Sequence, residues 1–101
     1  MEIKGKKVLI VGLARTGEAV ARFLSKRGAQ VKISDKKTET ELGPKIAAWR
    51  NRGVAVEAGE HKLESFLEAD LIVPSPGVPM IPALEEASRR GIPLVSEIEG
   101  D

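Results

Sequence analysis

The sequence predicts an α/β domain, a doubly wound parallel sheet of five strands with helices on both faces. Three observations carry that expectation. Short apolar, β-branched runs alternate with amphipathic stretches along the whole chain. Three segments, Arg27-Gly28-Ala29-Gln30-Val31, Arg52-Gly53-Val54-Ala55-Val56 and Arg90-Gly91-Ile92-Pro93-Leu94, share one pattern. In each, a cation suits the negative end of a helix dipole, a glycine accepts a left-handed turn, and a β-prone run follows. Finally, a glycine-bearing turn, Gly12-Leu13-Ala14-Arg15-Thr16-Gly17, directly follows the first apolar run.

The elements follow in order. Strands are expected at Lys7 to Val11, Val31 to Asp35, Val54 to Ala58, Leu71 to Pro74 and Leu94 to Glu97. The first helix, Thr16 to Arg27, places Ala19, Val20, Phe23 and Leu24 on one stripe and turns Glu18, Arg22 and Lys26 to water. The second carries Leu42, Ile46 and Trp49 at helical spacing; Gly43-Pro44 interrupts its start, so its regular part runs from Pro44 to Arg52. A short turn covers Leu63 to Leu67. The last helix, Pro82 to Arg90, opens on proline, turns Leu84 and Ala87 inward and stops at Gly91. Right-handed crossovers then give a Rossmann-like sheet of order 3-2-1-4-5 or a close relative. Its ligand crevice lies at the carboxyl ends of strands one and four, where the winding reverses.

Length and composition bound the functions open to such a fold. A chain of 101 residues fits one domain. Hydrophobic residues make up 42% and charged residues 31%, too apolar for disorder and too charged for a membrane span. Sixteen Lys and Arg against fifteen Asp and Glu leave +1, which gives no broad attraction to nucleic acid or anionic lipid. With no cysteine, disulfides and thiolate metal sites are excluded, and a cytoplasmic location is expected. Four apolar residues, Val8 to Val11, are too few for a signal peptide.

Two loops border the predicted crevice. In Gly12 to Gly17, free N–H groups at a helix start suit an anion, although the same glycines also suit a plain tight turn. Against the dinucleotide fingerprint G-x-G-x-x-G the middle glycine is Ala14, whose methyl narrows the approach of a pyrophosphate. Asp35 closes strand two, where a carboxylate meets ribose hydroxyls or a base edge, or forms a turn. Lys36 and Lys37 follow, to hold a phosphate-bearing ligand or to sit in water. The second loop, Pro74-Ser75-Pro76-Gly77-Val78-Pro79-Met80-Ile81-Pro82, holds four of the six prolines, so it is stiff before any ligand arrives. Ser75 offers a hydroxyl and Gly77 an unshielded N–H. The single histidine, His61, reads as a solvated loop residue with no metal role, and Trp49 as packing. No nucleophile with its base is found and G-x-x-x-x-G-K-[ST] is absent, so no catalytic residue is assigned.

Taken together, Val8 to Gly17, Asp35, Ala69-Asp70-Leu71-Ile72-Val73 with Ser75-Pro76-Gly77-Val78-Pro79, and Gly91-Ile92-Pro93-Leu94-Val95-Ser96-Glu97-Ile98-Glu99 resemble the amino-terminal domain of the Mur ligases, in particular the branch that adds D-glutamate. The resemblance implies a docking domain for the uridine diphosphate part of UDP-N-acetylmuramoyl-L-alanine. It implies that the backbone of Ala14, Arg15 and Thr16 meets the diphosphate, that Asp35 meets the uracil with Lys36 and Lys37 beside it, and that Ser75, Pro76 and Gly77 complete the cradle. ATP and magnesium would serve the whole enzyme, whose ATP-binding central domain and glutamate-binding last domain are expected outside this chain. This part alone is expected to catalyse nothing. Two other readings stay open: a regulatory dinucleotide-sensing domain in which Asp35 holds an adenosine ribose, and an interaction domain that has kept the fold without the ligand.

Overall fold

The computed structural model describes residues 2–96. The element order is β1 (Lys7–Val11), α1 (Arg15–Lys26), β2 (Gln30–Asp35), α2 (Glu39–Leu42), α3 (Lys45–Asn51), β3 (Ala55–Ala58), α4 (Leu63–Glu68), β4 (Leu71–Pro74) and α5 (Pro82–Arg89). All the strand pairs are parallel, and the sheet runs β3-β2-β1-β4. That is the predicted order for the first four strands. The three arginine–glycine junctions behave as expected, with Gly28, Gly53 and Gly91 at φ 83°, 84° and 87°.

A five-stranded sheet is not what the described residues form. The predicted strand at Leu94 to Glu97 reduces to one parallel bridge, Ile72 with Leu94, closed by Ile72 N–H to Pro93 O (3.0 Å) and Val95 N–H to Ile72 O (2.8 Å). Prolines account for the limit. Upstream, the next rung needs an N–H from Pro93; downstream, it needs one from Pro74; neither residue has one. Glu97 lies outside the described residues.

The two faces of the sheet are unequal. On one, Val8, Ile10, Val31, Ile33, Val54, Val56, Leu71 and Val73 pack against Val20, Ala21 and Leu24 of α1 and against Leu42, Ile46 and Trp49 of α2 and α3. On the other, Leu9, Val11 and Ile72 meet Phe66 of α4, Ala69, and Leu84 and Ala87 of α5. The rest of that second face, over β2 and β3, is polar. Lys32 reaches Glu57 (3.5 Å) and Ser65 (3.4 Å), and Ser65 donates to Glu57 (2.6 Å).

Several local expectations change. The apolar stripe of α1 is Gly17, Val20, Ala21 and Leu24; Ala19 is exposed, and Phe23 sits at the margin under the Arg27 guanidinium, 3.8 Å from its ring centroid. Glu18 does not face open water, because it accepts from Trp49 Nε1 (3.4 Å) and pairs with Lys45 (3.5 Å). Leu42 belongs to a separate turn, α2, started by a reciprocal capping box between Thr38 and Glu41 and ended at Gly43.

Phe66 is fully buried and is the largest side chain of the second core. Phe66→Ala is expected to lower unfolding stability by about 3–5 kcal/mol, read as a shift in urea midpoint at unchanged slope.

Candidate functional site

At the carboxyl rim the chain makes two bends that are tied to each other and to the end of β2. β1 is followed by Gly12, whose φ of 96° turns the backbone out of the sheet. A Cβ there would lie 3.2 Å from both Ser75 Cβ and Val78 Cγ2, so the close approach of the two bends also requires glycine. At Gly17, a Cβ would collide with the Gly12 carbonyl oxygen, which keeps the first turn of α1 folded back on the bend. Leu13, between them, is buried in the first core.

Asp35 is the hub. Its side chain is buried, and its two carboxylate oxygens accept from separate backbone donors, Leu13 N–H (2.7 Å) and Lys37 N–H (2.8 Å). The adjacent Ser34 carbonyl accepts from Gly12 N–H (2.8 Å). Across the crevice, Ser75 N–H donates to Val11 O (2.8 Å) and Ser75 Oγ donates to Gly12 O (2.8 Å). Ser75 is therefore buried and occupied by the bend, which corrects the expectation of a hydroxyl offered at the mouth. Pro76 and Gly77 are exposed beyond it, with open space at the Gly77 α-carbon.

The remaining sequence-predicted residues surround this frame. Ala14 is the N-cap of α1 in extended conformation, with no side-chain cap, so the first-turn N–H groups at Arg15 and Thr16 face the rim uncapped. Ala14, Arg15 and Thr16 are exposed, as are Lys36 and Lys37; the tie to Lys37 runs through its backbone. The arrangement offers N–H donors at a positive helix end, cations beside it, and a carboxylate with two of its four acceptor positions filled. It is suited to a ligand with an anionic centre and a polar heterocycle or sugar. A cleft of about 550 Å³ opens at the opposite rim, by Lys7, Gln30, Lys32, Arg52 and Glu68. Its cations are partly engaged, Lys32 with Glu57 and Arg52 over the Trp49 ring, and it holds none of these donors.

A further residue was misread from the sequence. His61 is not a solvated loop residue: it is half-buried, its Nδ1 lies 2.7 Å from Ser34 Oγ, and its ring meets Phe66 edge-on at 5.8 Å. The available signal was alternation. In β2, and from Val54 into β3, apolar Val31, Ile33, Val54 and Val56 alternate with Lys32, Ser34 and Glu57, which marks a polar face in need of partners.

Burial holds the His61 imidazole below its ordinary value; Asp35 acts in the other direction and Lys36 adds to the lowering. The unfolded chain takes up a proton near pH 6.5 and the folded chain only at lower pH, so this contribution to stability is full above about 6.5 and is lost as pH falls through the folded value. The urea midpoint is expected to fall on acidification across that window, and to fall less in His61→Asn. Asp35→Asn puts an amide donor where one of two N–H groups needs an acceptor; a loss of about 1–3 kcal/mol is expected in the same assay.

The family described as "Mur ligase MurD-like, N-terminal domain" matches residues 6–96. The UDP-N-acetylmuramoylalanine--D-glutamate ligase of Geotalea daltonii is 52% identical over 101 residues, and that of Desulfatibacillum aliphaticivorans 51% over 100; each comparison covers 98% of this chain and 22% of the relative. The chain thus spans about a fifth of the length of these relatives. Among solved structures, a pseudomurein peptide ligase type C from Methanothermus fervidus superposes with TM-score 0.75 at 23% identity, over 90% of this chain and 19% of that one. The dipicolinate synthase A chain from Bacillus subtilis gives 0.69 at 20%, over 86% and 28%; at such identities the likeness is one of fold. The family match over most of the chain, joined to curated relatives at about half identity, shows that this chain belongs to the MurD-like N-terminal domain family of the Mur ligases.

Proposed function

We propose that this chain docks the UDP part of UDP-N-acetylmuramoyl-L-alanine for an ATP-dependent, D-glutamate-adding ligase of peptidoglycan precursor synthesis. The observation that carries the reading is the pair of ties, Asp35 to Leu13 and Ser75 to Gly12, that holds both bends at one rim before a ligand arrives. Preorganised donors bind with little ordering cost. The names of the relatives supply the substrate.

In this reading the N–H groups of Ala14, Arg15 and Thr16 take the diphosphate at the helix end. Asp35 keeps acceptor capacity for the N–H of the uracil, and Lys36 and Lys37 supply positive charge beside it. Pro76 and Gly77 present the far wall, while Ser75 acts by fixing Gly12. The resemblance implies ATP and magnesium for the whole ligase, but this chain does not fit them. Among the described residues no three His, Asp or Glu side chains gather as metal ligands, and the sequence has no G-x-x-x-x-G-K-[ST] loop. In the same reading carboxylate activation belongs to parts of the ligase outside this chain, and the setting is cytoplasmic.

Titration of the chain with UDP-N-acetylmuramoyl-L-alanine is expected to shift the amide resonances of Thr16, Asp35 and Gly77. Unchanged spectra at millimolar ligand would overturn the docking reading. Stronger thermal protection by NADH than by UDP would favour a dinucleotide-sensing domain instead.

A further inference from the structure

Ser34 Oγ is completely buried at the end of β2, and its partner among the described residues is His61 Nδ1. A buried hydroxyl proton needs an acceptor, and the imidazole nitrogen supplies one only when it carries no proton. The contact therefore assigns a neutral ring with its proton on Nε2 and with Ser34 as donor. Phe66, against the ring edge, restrains its tilt.

Ser34 is also the residue whose carbonyl takes the Gly12 N–H, and its neighbour Asp35 takes the Leu13 N–H. The side chain on one face of β2 thus anchors the backbone that holds the glycine-bearing bend. We propose that His61 is a positioning residue for the nucleotide crevice: through Ser34 it fixes the end of β2, and through that end the Gly12–Leu13 bend that sets the ligand-facing start of α1. The inference rests on the docking reading for the ligand but on the hydrogen bonds alone for the coupling.

Protonation of Nδ1 removes the acceptor and leaves the buried Ser34 hydroxyl without one, so acid loosens the anchor. The charged groups acting on the ring come from the end of β2, Asp35 favouring the charged form and Lys36 opposing it, with Glu60 and Lys62 flanking it in its own loop. From α4 the packed group is the uncharged Phe66.

The test follows the amide resonances of Gly12 and Leu13 and the His61 ring through a pH titration, with UDP affinity measured about pH 7.5 and about pH 5.5. Asparagine at 61 offers a non-titrating acceptor near the Nδ1 position. In the wild-type chain both amides are expected to move with the His61 midpoint, and UDP affinity to drop on acidification about five-fold more than in His61→Asn. In His61→Asn the amide inflection disappears. In Ser34→Ala, which keeps the imidazole, the ring titrates while the two amides stay flat. Flat wild-type amides through the His61 transition, or the same inflection in either variant, would overturn the proposal. Amides that track the ring in a chain that binds no UDP at any pH would sink the docking reading and leave the positioning role standing.

Discussion

A buried carboxylate shared between two backbone donors holds this rim of the molecule together. Asp35 takes one N–H from the bend after β1 and another from its own turn after β2. Hydrogen bonds to an ionised acceptor are stronger than neutral ones, and a buried carboxylate without them would be costly. The residue therefore fixes the relative position of two loops that belong to different βα units. Ser75 performs the matching service from the third loop with a neutral bond to Gly12 O. With both in place, the geometry of the crevice is a property of the folded chain and needs no ligand to form.

Most of the architecture was legible because the signals were local and redundant. The three arginine–glycine junctions marked helix ends, and the four-residue run Val8 to Val11 marked a strand buried on both faces. The misreadings concern partners distant in sequence. Nothing near His61 announces that Ser34 lies beneath it, 27 residues earlier. Ala19 and Phe23 looked inward on a helical wheel, but the sheet surface presented to α1 selects Gly17 and Ala21, the small residues that permit close approach. The fifth strand failed on a pairing rule, since the donors missing at Pro74 and Pro93 matter only once the register is known.

The sequence-predicted residues gather at one rim of the sheet, but the hydrogen bonds that some of them make differ from expectation. Gly12, Asp35 and Ser75 came together as the topology required, yet Asp35 and Ser75 prove to be partly or wholly engaged by the backbone. Sequence patterns report that a polar side chain sits at a strand end; they do not report how many of its hydrogen-bonding positions the fold itself consumes. Solved structures of dipicolinate synthase and of a pseudomurein peptide ligase share the framework at low identity, so that likeness is one of fold alone.

The prolines that cut short the ladder beyond β4 have a consequence for the molecule among its copies. An exposed sheet margin is a template on which another molecule can lay a strand, and each rung of that recruitment needs a donor. Pro74 removes one at the position where β4 leaves the sheet, and the single bridge to Leu94 occupies the neighbouring one. At the opposite margin, β3 is four residues long and carries Glu57. Among the described residues both flanks are thereby poor templates for intermolecular strand addition.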